Sequence, residues 1–199
     1  MRRVLLILVL TLAPSAAFAR NILVVGDSLS AAYGIDVQSG WVEQLQKRLN
    51  DQGHDYKVIN ASISGDTTAN GRARLPRALA QHRPEVVILE LGANDGLRAL
   101  SLEQMKRNLA AMIEASRANG AKVVLVGIRL PPNYGMRYTD GFQKIYEDLA
   151  AKHRVPLVPF LLDGVYDRDG LMQPDGIHPT AAAQARILEN VWSKLKPVL

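Results

Sequence analysis

The chain has 199 residues, 48% of them hydrophobic and 22% charged, with a net charge of +5 and no cysteine. That length suits one ordinary domain with a real core, and the composition excludes disordered, collagen-like and low-complexity chains. The lack of cysteine removes disulfides, thiolate metal sites, iron–sulfur clusters, cysteine nucleophiles and a lipoprotein anchor.

The first nineteen residues read as an export address. Arg2 and Arg3 precede an apolar run from Val4 to Leu12, then a small-residue stretch ends in Ala17-Phe18-Ala19. Charged start, short apolar middle and small residues at the end match a secretory signal cleaved after Ala19. The run is too short for a membrane span, which needs about 20 apolar residues. Losing Arg2 and Arg3 takes two from the net charge of +5 and leaves +3. Such mild basicity does not call for a nucleic-acid partner. The expected product is a single domain over residues 20–199 in the bacterial periplasm or secreted beyond it, with no stable membrane span and a monomeric state.

From there strands and helices alternate. Asn21-Ile-Leu-Val-Val25 is apolar throughout and β-branched, the mark of a fully buried strand. A loop from Gly26 to Gly40 leads to an amphipathic helix over Trp41–Asp51, stopped by Gly53. Tyr56–Asn60 is a second strand. A Ser/Gly/Asp/Thr loop then enters a helix over Ala69–Gln81, where Gly71 and Pro76 predict a broken first turn or kink. Val86–Leu91 is the third strand. Ser101 caps a helix running to Asn119, with Gly120 as its stop. Lys122–Ile128 is the fourth strand. After a Pro- and Tyr-rich loop over Arg129–Thr139, a helix spans Gly141–His153, and Leu157-Val158 is a short fifth strand. Pro179 opens a last helix that ends near Lys196. Apolar strands each followed by a helix imply a three-layer α/β/α sandwich around five parallel strands, doubly wound with a flavodoxin-like outline.

This topology sorts the polar residues. Loops leaving strands lie at the carboxyl edge of the sheet, where ligands bind in such folds. His54, His82 and His153 sit where helices end, on the opposite edge, and read as surface residues favoured near helix C-termini. His178 alone lies in a strand-to-helix connection. Four such connections carry Gly26-Asp27-Ser28-Leu29-Ser30, Ser64-Gly65-Asp66-Thr67, Gly92-Ala93-Asn94-Asp95 and Asp175-Gly176-Ile177-His178.

Nucleophilic acyl transfer requires a hydroxyl, a base, a group that orients the base, and donors for the developing oxyanion. Ser28 offers the hydroxyl and its own backbone N–H. His178 is the one histidine placed to reach it. Asp175, three residues earlier, can meet one imidazole nitrogen and fix the tautomer. Gly65 can bring a backbone N–H close to substrate, and Asn94 can offer its amide. Taken singly, Ser28 also fits a helix cap, Gly65 and Gly92 fit turns, and Asn94 and Asp175 fit Asx loops. Asp27, Asp66 and Asp95 read as braces for their loops. It is their meeting on one rim that favours a site.

The same blocks carry a resemblance to the GDSL/SGNH hydrolase superfamily over nearly all of residues 20–199. The resemblance implies catalytic Ser28, Asp175 and His178, with Ser28, Gly65 and Asn94 as oxyanion donors. Ala93 stands where many relatives place glycine. Position 30 is Ser, so Ser28 lacks the G-x-S-x-G frame of the ordinary α/β-hydrolases. Asn60–Thr67, Arg129–Gly135 and Met172–Pro179 narrow the likeness to the bacterial periplasmic multifunctional thioesterase I/lysophospholipase branch, some members of which are described as arylesterases. Implied in turn are hydrolysis of acyl esters and thioesters, small-molecule or lipid-derived, and an open acyl groove without metal or cofactor. Leu29, Leu75, Pro76, Leu97, Tyr134 and Ile177 are the expected substrate-binding residues, with Leu130 and Pro131 beside them. Arg72, Arg74, Arg77, Arg98, Arg129 and Arg137 fit either solvated surface charge or attraction of anionic head groups. Competing readings are a periplasmic carbohydrate O-acetylesterase, a non-catalytic lipid- or sugar-binding protein, and a metal-dependent phosphate-transferring domain built on the loop aspartates. The last lacks the lysine after strand five that a phosphoryl group would need.

Overall fold

The computed structural model describes residues 20–199; the expected signal segment, 1–19, lies outside the described residues. Five parallel strands form the centre: β1 Arg20–Gly26, β2 Tyr56–Asn60, β3 Val86–Glu90, β4 Lys122–Val126 and β5 Leu157–Val158. Their order is β2-β1-β3-β4-β5. The helices are α1 Trp41–Asp51, α2 Thr68–His82, α3 Ala93–Leu97, α4 Leu102–Ala118, α5 Met136–His153 and α6 Gln184–Leu195. On one face α1 packs on α6; on the other α2, α4 and α5 lie side by side.

The apolar runs explain the layering. Ile22 to Val25 of β1 and Val86 to Leu89 of β3 are fully buried, as strands covered on both faces must be. Each such side chain contributes about 1.5–3 kcal/mol relative to exposure. The two strands run in register, Ile22 opposite Val86 and Gly26 opposite Glu90. Because β1 is flanked by β2 on one side and β3 on the other, chain order reverses at β1/β3. That reversal opens the crevice in which ligands bind in open α/β sheets.

Several boundaries differ from expectation for local reasons. The helix carrying Pro76 is continuous from Thr68 to His82 rather than broken at its start. A full capping box at Thr67 and Asn70 secures its first turn, and Gly71 lets it lie directly on Leu91. Strand β4 stops at Val126, two residues before the expected end, although Gly127 still meets the fifth strand, its N–H donating to Val158 O while its own carbonyl accepts from Leu161 N. Helix α5 starts five residues early, at Met136, where the Gly135 carbonyl accepts from the N–H groups of Tyr138 and Thr139. The last helix starts late, at Gln184. Pro179 is held in an isolated bridge to Met172, and only a 3₁₀ turn over Ala181–Ala183 separates that bridge from the helix. The short helix α3 directly after β3 was not expected. His153, read as a surface residue, is buried, and burial lowers its pKa.

Candidate active site

Ser28 follows β1 on a run of tight turns in which the Asp27 carbonyl accepts from the N–H groups of Ser30 and Ala31. Beneath the turn lie two fully buried carboxyl groups, Asp27 and Glu90. Glu90 Oε2 accepts from Ser30 Oγ at 2.7 Å and from the Asp27 N–H at 3.3 Å. Asp27 Oδ1 accepts from the Leu29 N–H at 3.1 Å. Burial pushes Asp27 up to about 6. Glu90 is pushed well above the carboxylate range by burial, with the nearby Asp27 charge adding to it. The serine turn is therefore tied to the end of β3 across the switch point.

The second connection is pinned as firmly. Arg74, from α2, pairs with Asp66 at 2.7 Å and donates to the carbonyls of Ala61 and Gly26. It links the loop after β2 to the end of β1. Gly65 adopts φ +84°, a left-handed conformation that a side chain would resist, and Arg98 Nη2 donates to its carbonyl at 3.0 Å. Asp95 braces the third connection, accepting from the Thr68 N–H at 2.8 Å and from Thr68 Oγ1 at 2.6 Å. Asn108 in turn donates to Thr68 Oγ1. The three aspartates thus hold loops, and Arg72, Arg74 and Arg98 are committed to protein partners rather than free in solvent.

Among the expected oxyanion donors, the backbone N–H groups of Ser28 and Gly65 have no acceptor among the described residues. Asn94 differs. Its Nδ2 donates to Asp66 O at 3.0 Å and to Asp27 Oδ2 at 3.3 Å. Both amide hydrogens are engaged, the second in a long bond that another acceptor can displace.

His178 arrives from the long connection after β5. Asp175 Oδ2 lies 2.7 Å from His178 Nδ1, and His178 Nε2 lies 2.9 Å from Ser28 Oγ. Asp175 Oδ1 accepts from the N–H groups of Ile177 and His178. These bonds, the His178 N–H and ring first, hold the Asp175 carboxyl down at about 2. Two residues absent from the expectations support the imidazole. The Tyr33 ring lies 4.4 Å from it, centroid to centroid, and Gln173 Nε2 donates to the carbonyls of Tyr33 and Pro179. Neither stands out in sequence, since one lies in an irregular loop and the other acts through backbone groups.

An apolar slot opens beside Ser28. Leu29, Leu97 and Ile177, three of the residues expected to bind substrate, line it together with Leu130, Pro131 and Arg129. Ile128, Phe160, Leu162 and Tyr166, which sequence reasoning missed, complete its wall; their one signal is their position after β4 and β5 at the carboxyl edge. Tyr134 stands one loop away, on a shallow groove beside Met136, with its hydroxyl donating to Leu97 O at 2.8 Å. Leu75 and Pro76 correct the expectation. Leu75 points from α2 into the core, Pro76 lies on the exposed side of the same helix, and neither reaches the slot. Among the described residues no group of three or more His, Asp or Glu side chains is placed to hold a metal ion. No helix among them is long and apolar enough to cross a membrane.

Residues 24–186 match the GDSL-like lipase/acylhydrolase family. Among curated proteins, the chain is 57% identical over 192 residues to esterase TesA of Pseudomonas aeruginosa, covering 96% of each chain. It is 42% identical over 184 residues to thioesterase 1/protease 1/lysophospholipase L1 of Escherichia coli, covering 92% of this chain and 87% of that one. A crystal structure of TesA, 58% identical, superposes with a TM-score of 0.89 over 90% of this chain and all of the other. The chain belongs to the GDSL-like lipase/acylhydrolase family and is an enzyme, a hydrolase of carboxylic esters.

Proposed function

From that membership, we propose that this enzyme is a serine esterase and thioesterase for acyl chains, with arylesterase and lysophospholipase-type activities. Ser28 is the nucleophile, His178 the base and Asp175 the group that orients it; the N–H groups of Ser28 and Gly65 and the Asn94 amide stabilise the oxyanion. One observation carries this reading: the relay from Asp175 through both ring nitrogens to the Ser28 hydroxyl, in contacts of 2.7 and 2.9 Å. Asp175 is ionised at neutral pH, so it fixes the proton on Nδ1 and leaves the Nε2 lone pair facing Ser28.

His178 then takes the Ser28 proton as Oγ bonds to the acyl carbon, and the carbonyl electron pair moves onto oxygen. The Ser28 and Gly65 N–H groups, unspent on the protein, receive that charge, and Asn94 joins them by giving up its long bond to Asp27. Collapse breaks the bond to the alkoxide or thiolate, which leaves with the proton from His178. Water repeats the sequence and frees the acid. The mostly apolar lining of the slot suits the hydrocarbon part of an acyl group. The test is Ser28→Ala assayed on an aryl ester and an acyl thioester. Both activities should fall together to background with the circular dichroism spectrum intact; retention of either overturns the reading.

A periplasmic location belongs to the same proposal. It rests on the charged, apolar and small-residue zones of residues 1–19. Terminal sequencing of the exported protein should begin at Arg20, whereas a start at Met1 overturns it.

A further inference from the structure

The slot beside Ser28 does not end blindly. Arg129, Leu130, Phe160, Leu162 and Tyr166 line both the slot, a narrow space of about 40 Å³, and a neighbouring basin of about 570 Å³. The slot begins at Leu29 and Ile177, the chain neighbours of Ser28 and His178. The basin is lined by three arginines, Arg129, Arg168 and Arg186, of which Arg129 also lines the slot. Arg186 is committed to Asp163, its Nη2 lying 3.1 Å from Oδ2. Arg129 rests over the Phe160 ring, its Cζ 5.1 Å from the centroid. Among the described residues neither Arg129 nor Arg168 has a carboxylate within 4 Å. Asp167 is the remaining acidic residue on the basin wall.

The slot is therefore apolar apart from Arg129, and the basin beyond it adds Arg168 and Arg186 to that charge, with Asp163 and Asp167 on the same wall. A molecule that suits both ends has methylenes next to its ester carbonyl and an anion beyond them. A saturated chain with a methyl end gains burial in the slot and nothing from the guanidinium groups. Leu29, Leu97 and Ile177, at the serine end of the slot, offer a charged group no partner. We infer that the slot and basin together bind acyl chains that end in a carboxylate, so that the enzyme favours monoesters of dicarboxylic acids over neutral esters of equal length. This rests on the reading of Ser28 as nucleophile. Planar guanidinium groups suit such an end, since they donate two parallel hydrogen bonds to a carboxylate.

The test uses 4-nitrophenyl monoesters of adipic, suberic and sebacic acid, each beside the analogue whose free carboxylate is capped as a methyl ester. At the length that spans the slot, the free acid should show a kcat/KM about fivefold above its capped analogue at low salt, the size expected of partly exposed charge pairs. The ratio should fall toward one in high salt and in Arg129→Gln/Arg168→Gln. Should that double variant not fold, Arg168→Glu, at an exposed position, should lower the ratio below that of the parent. A parent ratio at or below one at every length, or a ratio unmoved by both substitutions, overturns the inference. Hydrolysis of both esters undiminished in Ser28→Ala would instead remove the nucleophile reading on which it stands.

Discussion

The two halves of the site are held in different ways. On the serine side, the loops after β1, β2 and β3 are tied to one another through buried groups: Asp27 and Glu90 under the turn, Asp66 with Arg74, Asp95 with Thr68. On the histidine side, Asp175 has a side chain 40% exposed and His178 one 16% exposed. That loop hangs on backbone contacts, the Met172–Pro179 bridge, the Gln173 amide and the Tyr33 ring. The proposed nucleophile and oxyanion donors thus sit, partly buried, on loops braced by buried groups, whereas the proposed base sits on a surface strap. Chemistry that needs a fixed cradle but a proton carrier that can shift toward the leaving group is served by that division.

Substitutions on the two sides should fail differently. His178→Ala should cost turnover by at least about 10⁴-fold, as removal of a triad base does, with little change in unfolding midpoint because the strap contributes little to the core. A large drop in midpoint would place the strap among the folding determinants and erase the contrast. Arg74→Ala should do the reverse. Breaking a largely buried pair costs about 3 kcal/mol, so urea unfolding should shift markedly. Activity should fall by a smaller factor, through a loosened Gly65 loop.

The smallest effect concerns pH. Asp27 is raised to about 6 in the folded protein, so the folded state holds a proton that the unfolded chain releases. Its contribution to stability therefore falls as pH climbs from the ordinary carboxylate range toward 6. Asp175, lowered to about 2, acts oppositely, and its contribution is lost only as the medium becomes strongly acidic. Asp27→Asn should flatten the decline between pH 4 and pH 7 in urea titrations, whereas Asp175→Asn should leave that interval unchanged. An unaltered slope in Asp27→Asn would mean that Glu90 carries the proton alone.

Much of this architecture is legible in the residues. Apolar, β-branched runs such as Val86–Leu89 permit no other assignment, and their alternation with helical periods dictates a parallel sheet and hence a rim. The polar blocks were readable because they fall after strands. What escaped reading depends on distance in sequence. Leu75 and Pro76 follow the second block closely, and only the rotation of α2 decides that one faces the core and the other solvent. Phe160 and Tyr166 reach the slot from the connection after β5, which the Leu161 N–H ties to the Gly127 carbonyl and no local pattern announces. Glu90 looks like a strand residue, and its partnership with Asp27 exists only once β1 and β3 lie side by side.

The central claim is that Ser28 is the hydroxyl made nucleophilic by this arrangement, and a fluorophosphonate tests it most directly. Mass spectrometry of the labelled parent should find one adduct, on the peptide containing Ser28, with none in Ser28→Ala and greatly slowed labelling in His178→Ala. An adduct on another residue, or equal labelling of the parent and Ser28→Ala, would contradict it.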